Sequence, residues 1–360
     1  MSKPVCLVTA PVATRSGYGA HGRDICRALI KLDKYDVKIW PVRWGNTPMN
    51  ALNKDDPNDK MIIDRILPNP QLPKQPELHI HIVIPNEFQT FGKYNIGITA
   101  GLEMTACPPG WLEGMNKMNM NIVPSTFVKD MITNIKFDIN NEQDGKKVGE
   151  LKSDKPIEVL FEGTDTNIFK KTNEFSKEFV DEMKKVKESF NFLYVGHWLQ
   201  GDLGKDRKDT GMMLKVFLET FKNLKQKPGL IMKTSGATYS VIDRETMLNK
   251  IQIIKDMVKG DLPNIYLLHG DFDDEEMNQI YNHPKVKAHI NLTHGEGFGR
   301  PLLEASISQK PVIATNWSGH LDFLNKNLAV LVGGGLQNVE KGSVPDEFLT
   351  EGAQWFTVNY

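Results

Sequence analysis

The chain has 360 residues, 40% hydrophobic and 25% charged, with a formal net charge of -1. That length favours two domains over one core, and the near-neutral balance excludes a global field for nucleic acid, although a local basic groove stays open. Three cysteines, Cys6, Cys26 and Cys107, are an odd and sparse set that excludes a disulfide framework and a cysteine metal site and points to a reducing, cytoplasmic setting.

At the amino terminus Lys3 precedes only a short apolar run, Val5 to Val8, so no secretory signal is expected. No apolar run reaches the length of a membrane span. Val5 to Thr9 reads as a first strand. Pro11 to Ala20, with Gly17 and Gly19, reads as a loop, and His21 to Leu32 as a helix with Ile25, Leu29 and Leu32 on one face. Strand, glycine-rich loop and helix open a nucleotide-fold domain. The spacing is not G-x-G-x-x-G with an acidic follower, so a dinucleotide reading is rejected. A plain flexible loop is the alternative.

Val37 to Trp40 reads as a second strand, and Asn53 to Lys60, polar and interrupted by Pro57, as a surface loop. Leu78 to Ile84 alternates as a half-buried strand. His79 and His81 share one of its faces, but no third ligand follows, so structural histidines are expected rather than a metal site. Further strands are expected at Tyr94 to Thr99 and Asn121 to Pro124. Helices are expected at Trp111 to Met118 and, capped by Ser125, at Thr126 to Ile135. Gly101 to Thr105 follows a strand at its carboxyl end, where ligands sit in open parallel sheets. Glu103 lies there, and three roles stay open for it: acceptor binding, proton acceptance or helix capping. Asn140 to Lys155 is charged and lacks apolar period, hence a loop. Ile157 to Phe161 closes the first half as a strand.

In the second half, Phe175 to Phe190 reads as a charged amphipathic helix and Phe192 to Val195 as a strand leading to Gly196 and His197. Lys205, Arg207 and Lys208 form a basic cluster before a helix, Thr210 to Phe221. Leu230 to Thr234 and Ile265 to His269 read as strands, with Ile251, Ile254 and Val258 marking a helix between them. Asp271-Phe272-Asp273 looks like a D-x-D metal motif, but it precedes a helix. Asp273 is a natural cap there, and Asp274, Glu275 and Glu276 complement the dipole, so capping is expected and no metal. Pro311 to Thr315 and Leu328 to Val332 read as the final strands.

The most informative stretch is Thr293 to Ala305. It follows a strand, Val286 to Leu292, in which Val286, Ala288, Ile290 and Leu292 alternate onto one buried face. It precedes a helical segment, Leu302 to Ile307, with Pro301 in the first turn. Gly297 and Gly299 permit positive φ and close backbone approach. The amides of Phe298, Gly299 and Arg300 stand at the positive end of the helix dipole, a geometry that attracts a diphosphate or a sugar hydroxyl. Glu296 and Glu304 can reach one ligand from two sides.

This stretch resembles the E-x7-E motif of the retaining, family-4-like glycosyltransferases of the GT-B fold. Glu162 to Phe169 resembles that family's interdomain signature at Gly163, Asp165 and Phe169, with Glu162 and Thr164 as departures. Segments such as Tyr94 to Glu103 and Arg207 to Met212 look most like the enzymes of T4-like tailed phages. The resemblance implies an α/β protein with two Rossmann-like, doubly wound domains facing a cleft. An acceptor-side domain would span 1–163 and a nucleotide-sugar-binding domain 164–360. The family's closing carboxyl-terminal helix is not found. It implies that Glu296 and the loop amides hold the donor sugar and that Glu304 holds the ribose. Lys208 would bind the diphosphate with Arg207, and His269 would line the nucleobase pocket. Gly17 and Gly19 would lie over the acceptor and the reacting sugar. His197 replaces the usual arginine and would carry only part of a charge, and Glu103 stands near the family's imidazole.

The expected function is transfer of a sugar from a nucleoside diphosphate sugar to a hydroxyl acceptor, with retention and without metal or cofactor. The phage likeness implies a hydroxymethylated DNA base as acceptor, in the host cytoplasm. A nucleotide-sugar epimerase and an inactive sugar-nucleotide-binding protein are the alternatives.

Overall fold

The computed structural model describes residues 3–141, 143–236 and 238–360. It divides into two compact units, Met1–Gly163 and Thr164–Tyr360. The first runs β1 (Val5–Ala10), α1 (Gly17–Leu32), β2 (Asp36–Pro41), α2 (Pro57–Ile63), β3 (Leu78–Ile82), β4 (Tyr94–Ile98), α3 (Pro109–Lys117), β5 (Met120–Val123), α4 (Thr126–Asn134), β6 (Phe137–Asn140), β7 (Lys147–Leu151) and β8 (Ile157–Val159). Six of these strands form a parallel sheet in the order β2-β1-β3-β4-β5-β8. Its core includes Cys6, Val8, Ile39, Ile80, Ile82 and Ile98.

Several local expectations change. The amino-terminal helix starts at Gly17 rather than near His21, because the Ser16 side chain accepts the Gly19 N–H at 3.0 Å and caps it. Gly17 and Gly19 thus stand in its first turn. Half of the presumed surface loop at 53–60 joins α2, where Asp56 accepts the Asn58 N–H and Pro57 fits the first turn. The presumed loop at 140–155 contains β7, which pairs antiparallel with β6 just before it. β3 is buried on both faces, as parallel strands between helix layers are. His79 sits 3.0 Å from the Thr9 hydroxyl, and His81 accepts the Gln89 N–H at 3.1 Å. Burial lowers their pKa to about 4 and about 3, so both are neutral structural groups.

The second unit runs α5 (Lys177–Met183), β9 (Asn191–His197), α6 (Thr210–Phe221), β10 (Gly229–Ser235), α7 (Val241–Met257), β11 (Ile265–Leu268), α8 (Asp274–Asn282), β12 (Val286–Asn291), α9 (Arg300–Ile307), β13 (Val312–Thr315), β14 (Val330–Val332), β15 (Gly334–Asn338) and β16 (Gln354–Val358). Its parallel sheet has the order β11-β10-β9-β12-β13-β14. The 175–190 segment yields only the seven-residue α5. Few of its side chains pack inward, among them Phe179, Met183 and Val186, and packing is what sustains a helix. β12 is buried on both faces, since His289 opposite Ala288 and Ile290 has no exposure. β14 is not the last strand: β15 and β16 follow as an antiparallel pair.

Candidate functional site

In an open α/β sheet the two neighbouring strands whose connections leave in opposite directions open a crevice at their carboxyl ends. In the second unit those strands are β9 and β12. β9 ends at His197 and passes through a loop to α6. Asp206 caps that helix, accepting the N–H of Thr210 at 2.9 Å and of Gly211 at 3.4 Å. Asp209 turns the chain with φ 49°. β12 ends at Asn291, and its loop enters α9 through Gly299, whose φ is 95°. A Cβ on Gly299 would lie 3.1 Å from the His320 Cβ, so glycine serves both conformation and space.

The two loops are tied together. The His294 N–H and the Thr293 hydroxyl donate to the Arg207 carbonyl at 3.1 and 3.3 Å. This register brings the Lys208 ammonium onto the Glu296 carboxylate as an ion pair, with side chains 12% and 7% exposed. Burial alone would raise the Glu296 pKa. The charges of Lys208 and Arg207 and the hydrogen bond from Lys208 outweigh it and hold the group below its ordinary value. Lys205 instead pairs with Glu340 at the surface, whereas the Arg207 charge reaches Glu296 together with that of Lys208.

His197 sits in the same positive field. Burial first, then Lys233, Lys208 and Arg207, lower its pKa to about 4. It is therefore neutral near pH 7, not partly charged as the sequence suggested, and its Nδ1 lies 3.2 Å from the Ser235 hydroxyl. Lys233, two residues before the end of β10, lies over the rings of Tyr239 and Phe272 at 5.4 and 5.3 Å. Tyr239 meets His269 edge-on, and His269 Nε2 is 2.7 Å from Asp243. His269 is thereby linked to the β9–β10 edge of the site.

Glu304 points back from α9. Tyr281 donates to it at 2.9 Å and Arg300 Nε at 3.3 Å. Burial raises its pKa to about 7, only partly opposed by Arg300 and the Tyr281 hydrogen bond. Gly297, Phe298 and Gly299 form the intervening turn, with Phe298 buried against Phe323.

β16 braces this region. Phe356 donates its N–H to the His294 carbonyl at 3.1 Å, and His294 Nδ1 lies 2.7 Å from the Phe356 carbonyl. The His294 ring stacks on Trp355 at 4.3 Å. Tyr360 donates to Asp209 at 2.6 Å, next to Lys208.

The remaining candidates lie in the first unit. A Cβ on Gly19 would stand 2.2 Å from the Thr14 carbonyl, whereas Gly17 is open. Tyr18 between them shares a 2.7 Å hydrogen bond with Thr99 and lies within electrostatic reach of Glu103. The α1 start and the Thr99–Glu103 segment thus meet. Asp273 forms a capping box with Glu276. No group of three or more His, Cys, Asp or Glu placed to hold a metal occurs among the described residues.

Sequence reasoning missed Tyr281, which tertiary packing alone brings to Glu304. It placed Lys233 near the end of its strand and Ser318 in the cleft-edge loop after Thr315 but gave neither a role.

No family model matches the chain, and no curated protein sequence does. Solved structures do. Sucrose-phosphate synthase from Thermosynechococcus elongatus superposes with a TM-score of 0.60 at 14% identity, covering 92% of this chain and 86% of that one. Anabaena HepE in complex with UDP and glucose gives 0.56 at 12%, covering 91% and 85%. A glycosyltransferase from Rickettsia africae gives 0.57 at 15%, covering 92% and 84%. The class defined is the GT-B fold, with two Rossmann-like units. No helix of the described residues is long and apolar enough to cross a membrane.

Proposed function

We propose that the chain is a glycosyltransferase that moves a sugar from a nucleoside diphosphate sugar to a hydroxyl acceptor with retention of anomeric configuration. One observation carries this reading: the buried Lys208–Glu296 pair at the β9–β12 crevice, beside the α9 amino terminus and Glu304. The fold likeness supports it, since the Anabaena HepE structure holds UDP and glucose.

Lys208 and Arg207 neutralise the departing diphosphate, and the amides of Phe298 to Arg300 add their dipoles. Glu296 accepts hydrogen bonds from the donor sugar, and Glu304 from the ribose. His269 borders the nucleobase, and neutral His197 offers a hydrogen bond but no charge. A donor phosphate oxygen takes the acceptor's proton. Gly17, Gly19 and Glu103 serve the acceptor side. The acceptor we favour is a hydroxymethylated base in phage DNA, which fixes the setting as the host cytoplasm.

The test incubates the protein with UDP-glucose and other sugar nucleotides, against hydroxymethylated DNA, plain DNA and simple glycans. Transfer only to the hydroxymethylated DNA, with an α-linked product from an α-linked donor, supports the full reading. Sugar-nucleotide turnover without any acceptor identifies an epimerase. Binding without turnover identifies an inactive receptor, and no binding overturns the site.

A further inference from the structure

We infer that Ser318 is a positioning residue for Glu296, held in a strained backbone conformation for that purpose; this rests on the donor-site reading above. Ser318 has φ 82° and ψ -167°, a region that essentially only glycine occupies without strain. It is buried, at 4% exposure. A residue with a Cβ persists there only when its surroundings over-determine it.

The surroundings do so through Glu296. The Ser318 hydroxyl accepts the Glu296 N–H at 2.9 Å. The next residue, Gly319, donates its own N–H to the Glu296 carbonyl at 2.9 Å. Glu296 is therefore gripped on both sides of its Cα from a loop twenty-two positions away, while its carboxylate meets Lys208 from a third direction. A glycine would adopt this backbone freely but could not supply the oxygen. Serine is a small residue that supplies it.

Strain and hydrogen bond can be separated with two variants. Ser318→Gly removes both, and Ser318→Ala removes only the hydrogen bond. UDP-glucose and UDP are the probes, because Glu296 is assigned to the sugar and not to the nucleotide. We expect Ser318→Gly to melt at a higher temperature than the parent and Ser318→Ala at a lower one. Both should lose roughly tenfold in UDP-glucose affinity, the size of one lost hydrogen bond, with UDP affinity unchanged. Amide exchange at Glu296 should accelerate in both variants.

Parent-like UDP-glucose affinity and Glu296 exchange in both variants would overturn the inference while leaving the donor site standing, provided that Glu296→Gln still weakens UDP-glucose. Equal losses for UDP and UDP-glucose would also overturn it, showing a merely structural role. A parent chain that binds neither ligand would overturn the donor site and this inference together.

Discussion

The two units share an architecture but not a winding. In the first, the connections reverse between β1 and β3; in the second, between β9 and β12. Their polar content differs more. Around β3 the first unit buries neutral groups, His79 and His81, satisfied by Thr9 and a backbone amide. At its reversal point the second buries opposite charges, Lys208 against Glu296 and Arg300 against Glu304. Neutral buried groups hold a fold together. Buried charges are expensive unless paired, and a ligand of matching charge can replace a partner. On the reading proposed above, the second unit is where an anionic, hydroxyl-rich donor would exchange with internal contacts.

The contrast is broken most severely at Lys208. Lys208→Ala leaves the Glu296 carboxylate buried without its cation, and breaking such pairs costs about 3–5 kcal/mol. Denaturant unfolding should show that loss. UDP-glucose turnover should fall by roughly 10²–10³, the scale of a lost transition-state charge contact. Parent-like turnover would remove Lys208 from the mechanism.

Glu304 gives the next effect, and its sign depends on pH. Its folded pKa of about 7 lies above the ordinary 4.5. The stability it contributes is therefore complete below pH 4.5 and lost as pH rises through about 7. Glu304→Gln should match the parent near pH 4 and be more stable at pH 8, by on the order of 3 kcal/mol. Donor affinity should fall in this variant above pH 7, where the parent carboxyl is ionised, and approach the parent's at lower pH. In the parent it should rise through pH 7, because only the carboxylate accepts from both ribose hydroxyls. Melting and calorimetry across pH 5–9 check both halves.

The first unit titrates in the opposite direction. His79 and His81 have folded values of about 4 and about 3, below the ordinary 6.5. Their contribution is present above pH 6.5 and lost as pH falls through those values. Urea unfolding between pH 7 and pH 4 should destabilise the parent, and His81→Leu should flatten that slope. A slope unchanged in His81→Leu would show that the acid lability arises elsewhere.

The smallest effect is a control. Lys205 belongs to the same basic cluster as Lys208, but its partner Glu340 is solvent-exposed. Lys205→Ala should leave stability and UDP-glucose affinity indistinguishable from the parent, as exposed pairs contribute little.

These contrasts also show what a sequence can carry. Thr210–Phe221 was legible to the residue, because its apolar period and preceding polar run fix both ends. The Glu296–Glu304 spacing around Gly299 announced the loop into α9. The Lys208–Glu296 contact was not legible, since it joins positions 88 apart through the Arg207 carbonyl. Nor was the neutrality of His197, which follows from burial among three cations. The Ser125 and Asp273 caps were legible, whereas the start of α1, set by Ser16, was misplaced and α2, capped by Asp56, was read as a loop. The β15–β16 pair escaped because β15 is glycine-rich and exposed, with no alternating apolar face.

Hydrogen exchange with and without saturating UDP-glucose tests the central claim most directly. The account predicts protection concentrated at residues 207–211 and 293–304, the two loops that flank the β9–β12 crevice. Protection elsewhere in the second unit, with those loops unchanged, would contradict it.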